Sequence, residues 1–425
     1  MYFCTAMKNE KYYMTPGRRG MRAVIGLFIF ATAMLTFWAC SRRDNTDYSQ
    51  SLPETAITGA LDSLFSTIFT PDGPGAIVIV MHDDTLLYRH AYGYADLEKG
   101  TRISDSTLFN LSSASKIFTS VALMKLVEEG KLNLDDSLSK YFPELPKRFF
   151  DKITIRHILT HSSGLPDLRP RNNDEWDAYL KSHKSVFGFG NDYRLYGSDN
   201  EHMQVFLNLD SVDFEPGTHY QHNDPGYILV APLIERITGE NFDSWMQRNM
   251  FDRAELKNVF YLTPGAPTML TAHGYRIADP DTKRKTYQTD SDKWEEYDYG
   301  ESEFFLTKAD RGVYASAREF FKWKKALHNG VIISDSSLHA IGSQYVPTNI
   351  ENVCYGLGTA VLCETGYPAK KYHSSANGGF AIAEGTWTDA RLHYLVFSNR
   401  NDWDRRAVTA AIDSIFKAKG LLKKE

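Results

Sequence analysis

Two short stretches carry side chains that could do chemistry. In FNLSSASK (109–116), Ser113 and Lys116 stand three residues apart where an apolar run takes up a helical period. That spacing puts hydroxyl and ammonium on one face near a helix N-terminus, whose positive end favours a free amine and an alkoxide. A serine hydroxyl attacks a carbonyl only when a base takes its proton, and a buried lysine can be that base. Taken alone, Ser-x-x-Lys also reads as a capping serine and a surface lysine. The second stretch is HYQHND (219–224), held between Pro216-Gly217 and Gly226. Here His222, followed by Asn223 and Asp224, reads as a metal ligand, a catalytic base or part of a polar turn. His219 and His222 are three apart, and His157 and His161 are spaced i, i+4. Neither pair has the glutamate or cysteine company of a zinc site, so no metal and no other cofactor is expected.

These residues need elements to position them. ETAITGALDSLFSTIF (54–69) has the pattern of an amphipathic helix, and AIVIVMHDDTLLYRHAYGYAD (76–96) alternates like two strands turned at Asp83-Asp84. The run after Ser113 buries Ile117, Val121, Leu123, Leu126 and Val127 on one side and stops at Gly130. AIAEGTWTD and LHYLVFSNR read as strands, and RRAVTAAIDSIFKAKG as a last amphipathic helix. CYGLGTAVLC (354–363), as one extended strand, would hold its cysteines about 30 Å apart, so two free thiols or a hairpin are expected.

The chain has 425 residues, 42% of them hydrophobic, enough for a large core in one or two domains. Arg18, Arg19 and Arg22 precede the apolar run AVIGLFIFATAMLTFWA, which is shorter than a spanning helix needs and ends at Ala39-Cys40. Residues 1–39 therefore read as a secretory signal of lipoprotein type, 40–53 as a linker, and 54–420 as one catalytic domain. The protein is expected outside the cytoplasm, touching a membrane only through its N-terminal lipid or signal anchor at Cys40. Loss of residues 1–39 removes five cations and one anion and takes the net charge from −5 to −9. Nucleic acid is not an expected partner of such a surface.

Taken in order, FNLSSASK, ITIRHILTHSSGLPD (153–167), FEPGTHYQHNDPGY (214–227), RGVYASAREFFKW (311–323) and YHSSANGGF (372–380) resemble the serine β-lactamase-like family over roughly residues 54–420. That family holds class C β-lactamases, penicillin-binding carboxypeptidases and related esterases and acyltransferases. The resemblance implies an α/β (α+β) fold: an antiparallel sheet flanked by terminal helices, an inserted mainly helical region, and the active site in the cleft between. It implies Ser113 as nucleophile and Lys116 as its partner. The family's tyrosine, serine and asparagine fall on His222, Asn223 and Asp224, a register fixed from both flanking glycines.

Imidazole is mostly neutral at pH 7 and can replace a phenol as proton carrier. Asp224 is expected to favour the ammonium form of Lys116, which moves the base role toward His222. Asn223 and Asp224 are expected at the substrate. The third family element falls on His373, Ser374 and Ser375, with His373 and Ser375 on one strand face, both assigned to substrate binding. The backbone N–H groups of Ser113 and Ser375 would form the oxyanion hole. The aromatic segments 169–206 and 286–305 are expected to roof the cleft. The partners implied are a small-molecule acyl substrate and water or an alcohol acceptor, in an esterase-like reaction, with β-lactam or peptidoglycan processing or silent ligand binding as alternatives.

Overall fold

Strict alternation makes 76–92 a hairpin, and the fold grows from it. In the computed structural model, which describes residues 57–83, 85–166, 203, 206–261, 270–280, 285–297 and 308–424, β1 (Ala76–His82) and β2 (Thr85–Tyr92) pair antiparallel with a bulge at Val80/Met81. Asp83 takes the left-handed conformation at the turn, with φ 53°. The signal-like N-terminus, Cys40 and the aromatic segment 169–206 apart from residues 203 and 206 lie outside the described residues, as do residues 298–305 of the second aromatic segment. The first part of that second segment forms the strands Thr286–Gln288 and Lys293–Glu296 of a small sheet with Tyr275–Ile277 and buries Trp294.

A small sheet follows, of β3 (Leu108–Asn110), β4 (Val259–Tyr261) and β5 (Val313–Ser316), with β5 in the middle. The C-terminal third supplies β6 (Val346–Pro347), β7 (Val353–Tyr355), β8 (Ala360–Leu362), β9 (Lys370–Asn377), β10 (Phe380–Trp387) and β11 (Leu392–Ser398). These join β1 and β2 in an eight-stranded sheet of order β6-β7-β8-β9-β10-β11-β1-β2, every pairing antiparallel.

CYGLGTAVLC is thus a hairpin rather than one strand. Gly356 N–H bonds Thr359 O at 2.8 Å and Gly358 sits at φ +83°, a turn that favours glycine. Cys354 and Cys363 are free thiols.

The sheet separates two cores. On one face, α1 (Thr58–Phe65) inserts Leu61 and Phe65, and the last helix, Arg405–Ala418, inserts Val408, Ile412 and Phe416 at successive four-residue steps, over Val78, Ala383 and Val396. On the other face, Ile77, Ile79, Ile382 and Phe397 pack under the helical region. Its central helix, α2 (Ser115–Glu128), is buried almost all round from Ser115 to Met124 and ends at Gly130, φ +68°. A fully covered helix cannot tilt without opening a cavity, which makes it a firm platform for Ser113 and Lys116.

Candidate active site

Ser113 stands not on α2 itself but on the short 3₁₀ turn Ser112–Ala114 that feeds it. Residues three apart eclipse in such a turn, so Lys116 comes under Ser113. The turn is held locally. Ser112 has φ +48° and donates its N–H to Asn110 Oδ1 at 2.8 Å, while Leu111 N–H reaches Val313 O at 2.9 Å and Val313 N–H reaches Ser115 Oγ at 3.1 Å. A non-glycine residue in the left-handed region just before Ser113 is strain that these bonds hold in place.

Lys116 is fully buried. Its Nζ donates to Ser113 Oγ at 3.1 Å and to the Asp310 carbonyl at 3.3 Å, and it forms an ion pair with Asp224 Oδ1 at 2.7 Å. Asp224 Oδ2 accepts from Arg311 Nη2 at 2.7 Å, and Arg311 Nε donates to Asp310 Oδ2 at 2.6 Å. The buried Lys116 and the largely covered Arg311 are therefore balanced by two buried carboxylates, the condition under which such charges are tolerated. A nitrogen that donates to Ser113 Oγ is not at that moment accepting its proton.

The loop before Asp224 is docked by His161. Gln221 N–H bonds His161 O at 2.9 Å and Asn223 N–H bonds His161 Nδ1 at 3.0 Å. Alternate residues of this extended segment are thus tied inward, and His222 between them points the other way, with its side chain 46% exposed. His222 Nε2 lies 3.6 Å from Asp224 Oδ1, and its ring centre 4.6 Å from that of His161. His161 is not helical: α3 (Ile155–Leu159) ends before it, and His161 takes φ +55°. Burial, with His222 and Lys116 beside it, holds its pKa well below 6.5. Because Nδ1 accepts a backbone N–H, the ring proton sits on Nε2.

Asn223, expected at the substrate, has its side chain engaged with protein. It caps helix α4 (Asp224–Ile228), with Oδ1 accepting Gly226 N–H at 2.7 Å and Nδ2 donating to Leu165 O. Asp224 is likewise committed to the protein through its two cations. His373, also expected at the substrate, has a buried ring engaged with protein, with Nδ1 2.7 Å from Glu384 Oε1 and Nε2 2.7 Å from Gly358 O. Ser375 shares its strand face, and its Oγ is buried with no hydrogen-bond partner among the described residues. Past Tyr372 no described strand pairs with the β8-facing edge of β9, and the Ser112–Ala114 turn packs against this strand.

Several contributors went unassigned in the sequence. Arg311 opened one of the recognised blocks, but nothing in its spacing says that it meets Asp224, 87 residues earlier. The rings of Tyr227, Tyr355 and Tyr220 lie 5.1, 4.7 and 6.1 Å from His161. Each of these phenols is pushed upward by burial, so none takes over as a base at neutral pH. His157 and His219 are spent locally, on Thr154 and Thr218.

A model of the Beta-lactamase family matches residues 61–416. Penicillin-binding protein 4* of Bacillus subtilis (strain 168) is 25% identical over 355 residues, covering 80% of this chain and 72% of that protein. Among solved structures, the penicillin-binding protein from Bacillus halodurans superposes with TM-score 0.67 at 20% identity, over 86% of this chain and 100% of that one. The D-amino acid amidase from Ochrobactrum anthropi SV3, complexed with L-phenylalanine, gives TM-score 0.66 at 21% identity, over 86% and 98%. With its serine–lysine turn packed on an antiparallel sheet and a family match spanning most of its length, this chain belongs to the Beta-lactamase family of serine hydrolases.

Proposed function

We propose that the protein is a serine acyl hydrolase or acyltransferase that works through a Ser113 acyl-enzyme on a small-molecule ester or amide. The observation that carries this reading is the shared carboxylate: Asp224 Oδ1 lies 2.7 Å from Lys116 Nζ and 3.6 Å from His222 Nε2, while Lys116 donates to Ser113 Oγ. In the first step Ser113 Oγ bonds the carbonyl carbon as its proton passes to His222. The bond to the leaving group then breaks, and His222 returns the proton to the departing oxygen or nitrogen. Water or an acceptor alcohol, deprotonated in turn by His222, attacks the acyl carbon and frees Ser113. Lys116, held by Asp224 and Asp310 O, positions the hydroxyl and supplies positive field, and the N–H groups of Ser113 and Ser375 are assigned to the oxyanion. Export with a lipid at Cys40 belongs to the same proposal.

The penicillin-binding protein among the relatives supports a second reading, action on β-lactams or peptidoglycan. Labelling separates the two. Wild type and Ser113→Ala are treated with a fluorophosphonate and with a fluorescent penicillin. Ser113-dependent fluorophosphonate labelling alone is the expected result. Stable penicillin labelling would favour the second reading, and no labelling by either would leave a ligand-binding protein.

A further inference from the structure

We infer that the third element selects an acyl donor whose leaving group carries no carboxylate, with Ser375 Oγ as the group that recognises substrate and His373 as an internal positioning residue. This rests on the acyl-transfer reading above and narrows its substrate class.

Cross-strand partners share a sheet face. In the β9–β10 register, His373 stands opposite Glu384, Ser375 opposite Ile382 and Asn377 opposite Phe380. Ile382 and Phe380 belong to the core under the helical region, and the Ser112–Ala114 turn packs on β9. His373 and Ser375 are thus on the face of the nucleophile, where a carboxylate receptor would have to stand.

His373 is already spent there. Its two ring nitrogens each lie 2.7 Å from a protein oxygen, Nδ1 from the Glu384 carboxylate and Nε2 from the Gly358 carbonyl, so both edges of the ring are engaged with protein. Glu384 is buried and also accepts from Lys324 Nζ at 2.9 Å. Turning His373 toward a substrate carboxylate would take the partner from the Gly358 carbonyl and leave the buried Glu384 with Lys324 alone, a costly exchange. Among the described residues, Lys116 and Arg311 beside Ser113 are matched in the same way: both face Asp224, and Arg311 also faces Asp310. A leaving-group carboxylate would enter a field already compensated.

What His373 does hold is geometry. Gly358, whose carbonyl it grips, lies against α2: a Cβ there would come 2.1 Å from Ser120 Oγ and 3.2 Å from Lys116 O. The clamp joins the strand of Ser375 to the helix of Lys116. Ser375 is the group left over. Its buried, unpartnered hydroxyl can donate to and accept from an uncharged ester or amide, which a backbone-only position could not do through a side chain.

The test uses the full chain and one acyl group with two leaving groups: an acetyl-D-alanyl thioglycolate depsipeptide and its methyl ester, read by thiol release. The methyl ester should show kcat/KM at least about tenfold above the free acid. Ser375→Ala should lower kcat/KM for the methyl ester about three- to tenfold, the size of one neutral hydrogen bond. His373→Gln should lower kcat for both substrates by the same factor and leave their KM ratio unchanged. Equal or better cleavage of the free acid by wild type, a measurement that needs no variant, overturns the inference. So does a His373→Gln enzyme whose KM rises for the acid alone, an unaffected Ser375→Ala enzyme, or fluorophosphonate labelling of Ser113 with neither thioester cleaved. Absence of that labelling in wild type would instead defeat the acyl-transfer reading itself.

Discussion

A phenol in the place of His222 would have to be driven down from a pKa near 10 before it could take a proton from serine, whereas imidazole titrates close to neutrality without help. The surroundings suit that difference. Tyr220, Tyr227 and Tyr355 ring the site, but burial pushes each further from use as a base. Lys116 is occupied by the Asp310 carbonyl and the Asp224 carboxylate. His222→Gln should therefore lower the rate of Ser113 acylation by about 10² or more, measured by stopped-flow labelling, with Lys116 as the base instead if the rate holds. Asp224→Asn removes the anion shared by two cations, of which Lys116 is fully buried. Breaking a buried pair from one side leaves charge uncompensated, and a loss of about 3 kcal/mol is expected in urea denaturation, with slower acylation besides.

The elements around the site divide into those whose causes are local and those whose causes are not. Asn223 is an N-cap: Oδ1 bonds Gly226 N–H, and the following helix starts Asp224-Pro225. Asn223→Ala should cost about 1 kcal/mol of stability with little change in KM, measured by denaturation and steady-state kinetics; a selective rise in KM would restore the substrate-binding role. That cap went unread, since Asn223 was expected at the substrate, but other local causes were legible in the sequence. The three-residue step from Ser113 to Lys116, the alternation of Ala76–Tyr92 and the four-residue steps of Val408, Ile412 and Phe416 each declare their element. Illegible were the meetings that depend on register between distant segments. The strand period of two placed His373 and Ser375 on one face, but it could not say that Glu384 would stand opposite His373 or that the Gly356–Gly358 turn would bring a carbonyl to its other nitrogen. The same holds for Arg311 and Asp224. CYGLGTAVLC shows the limit within ten residues, since its two glycines permit either a strand or a hairpin, and packing against α2 decides.

For the molecule as a whole, the sheet does more than divide two apolar cores, because it also carries ionisable groups inside. Glu384 on β10 and His393 on β11 lie in or beside the layer that joins sheet to helical region, with Lys324 from the helix Ala317–His328 acting on both. Burial and the nearby Lys324 hold His393 down at about 4, against an ordinary 6.5. Burial pushes Glu384 up, but Lys324 and His373 outweigh it and hold the carboxyl at about 2, against 4.5. Both groups are depressed in the folded protein, so in acid the unfolded chain binds more protons and is favoured. The His393 contribution is complete above pH 6.5 and fades as pH falls to about 4, and that of Glu384 is complete above about 4.5 and fades toward 2. Each proton lowers stability by at most about 1.4 kcal/mol per pH unit within its window. Thermal unfolding followed from pH 7.5 down to about 2 should show Tm falling first below pH 6.5 and again below about 4.5. His393→Gln should flatten that upper part of the curve and leave the lower part in place, because Gln keeps a polar contact for Thr386 Oγ1 but has no proton to gain. An identical fall in the variant would move the acid sensitivity away from this layer.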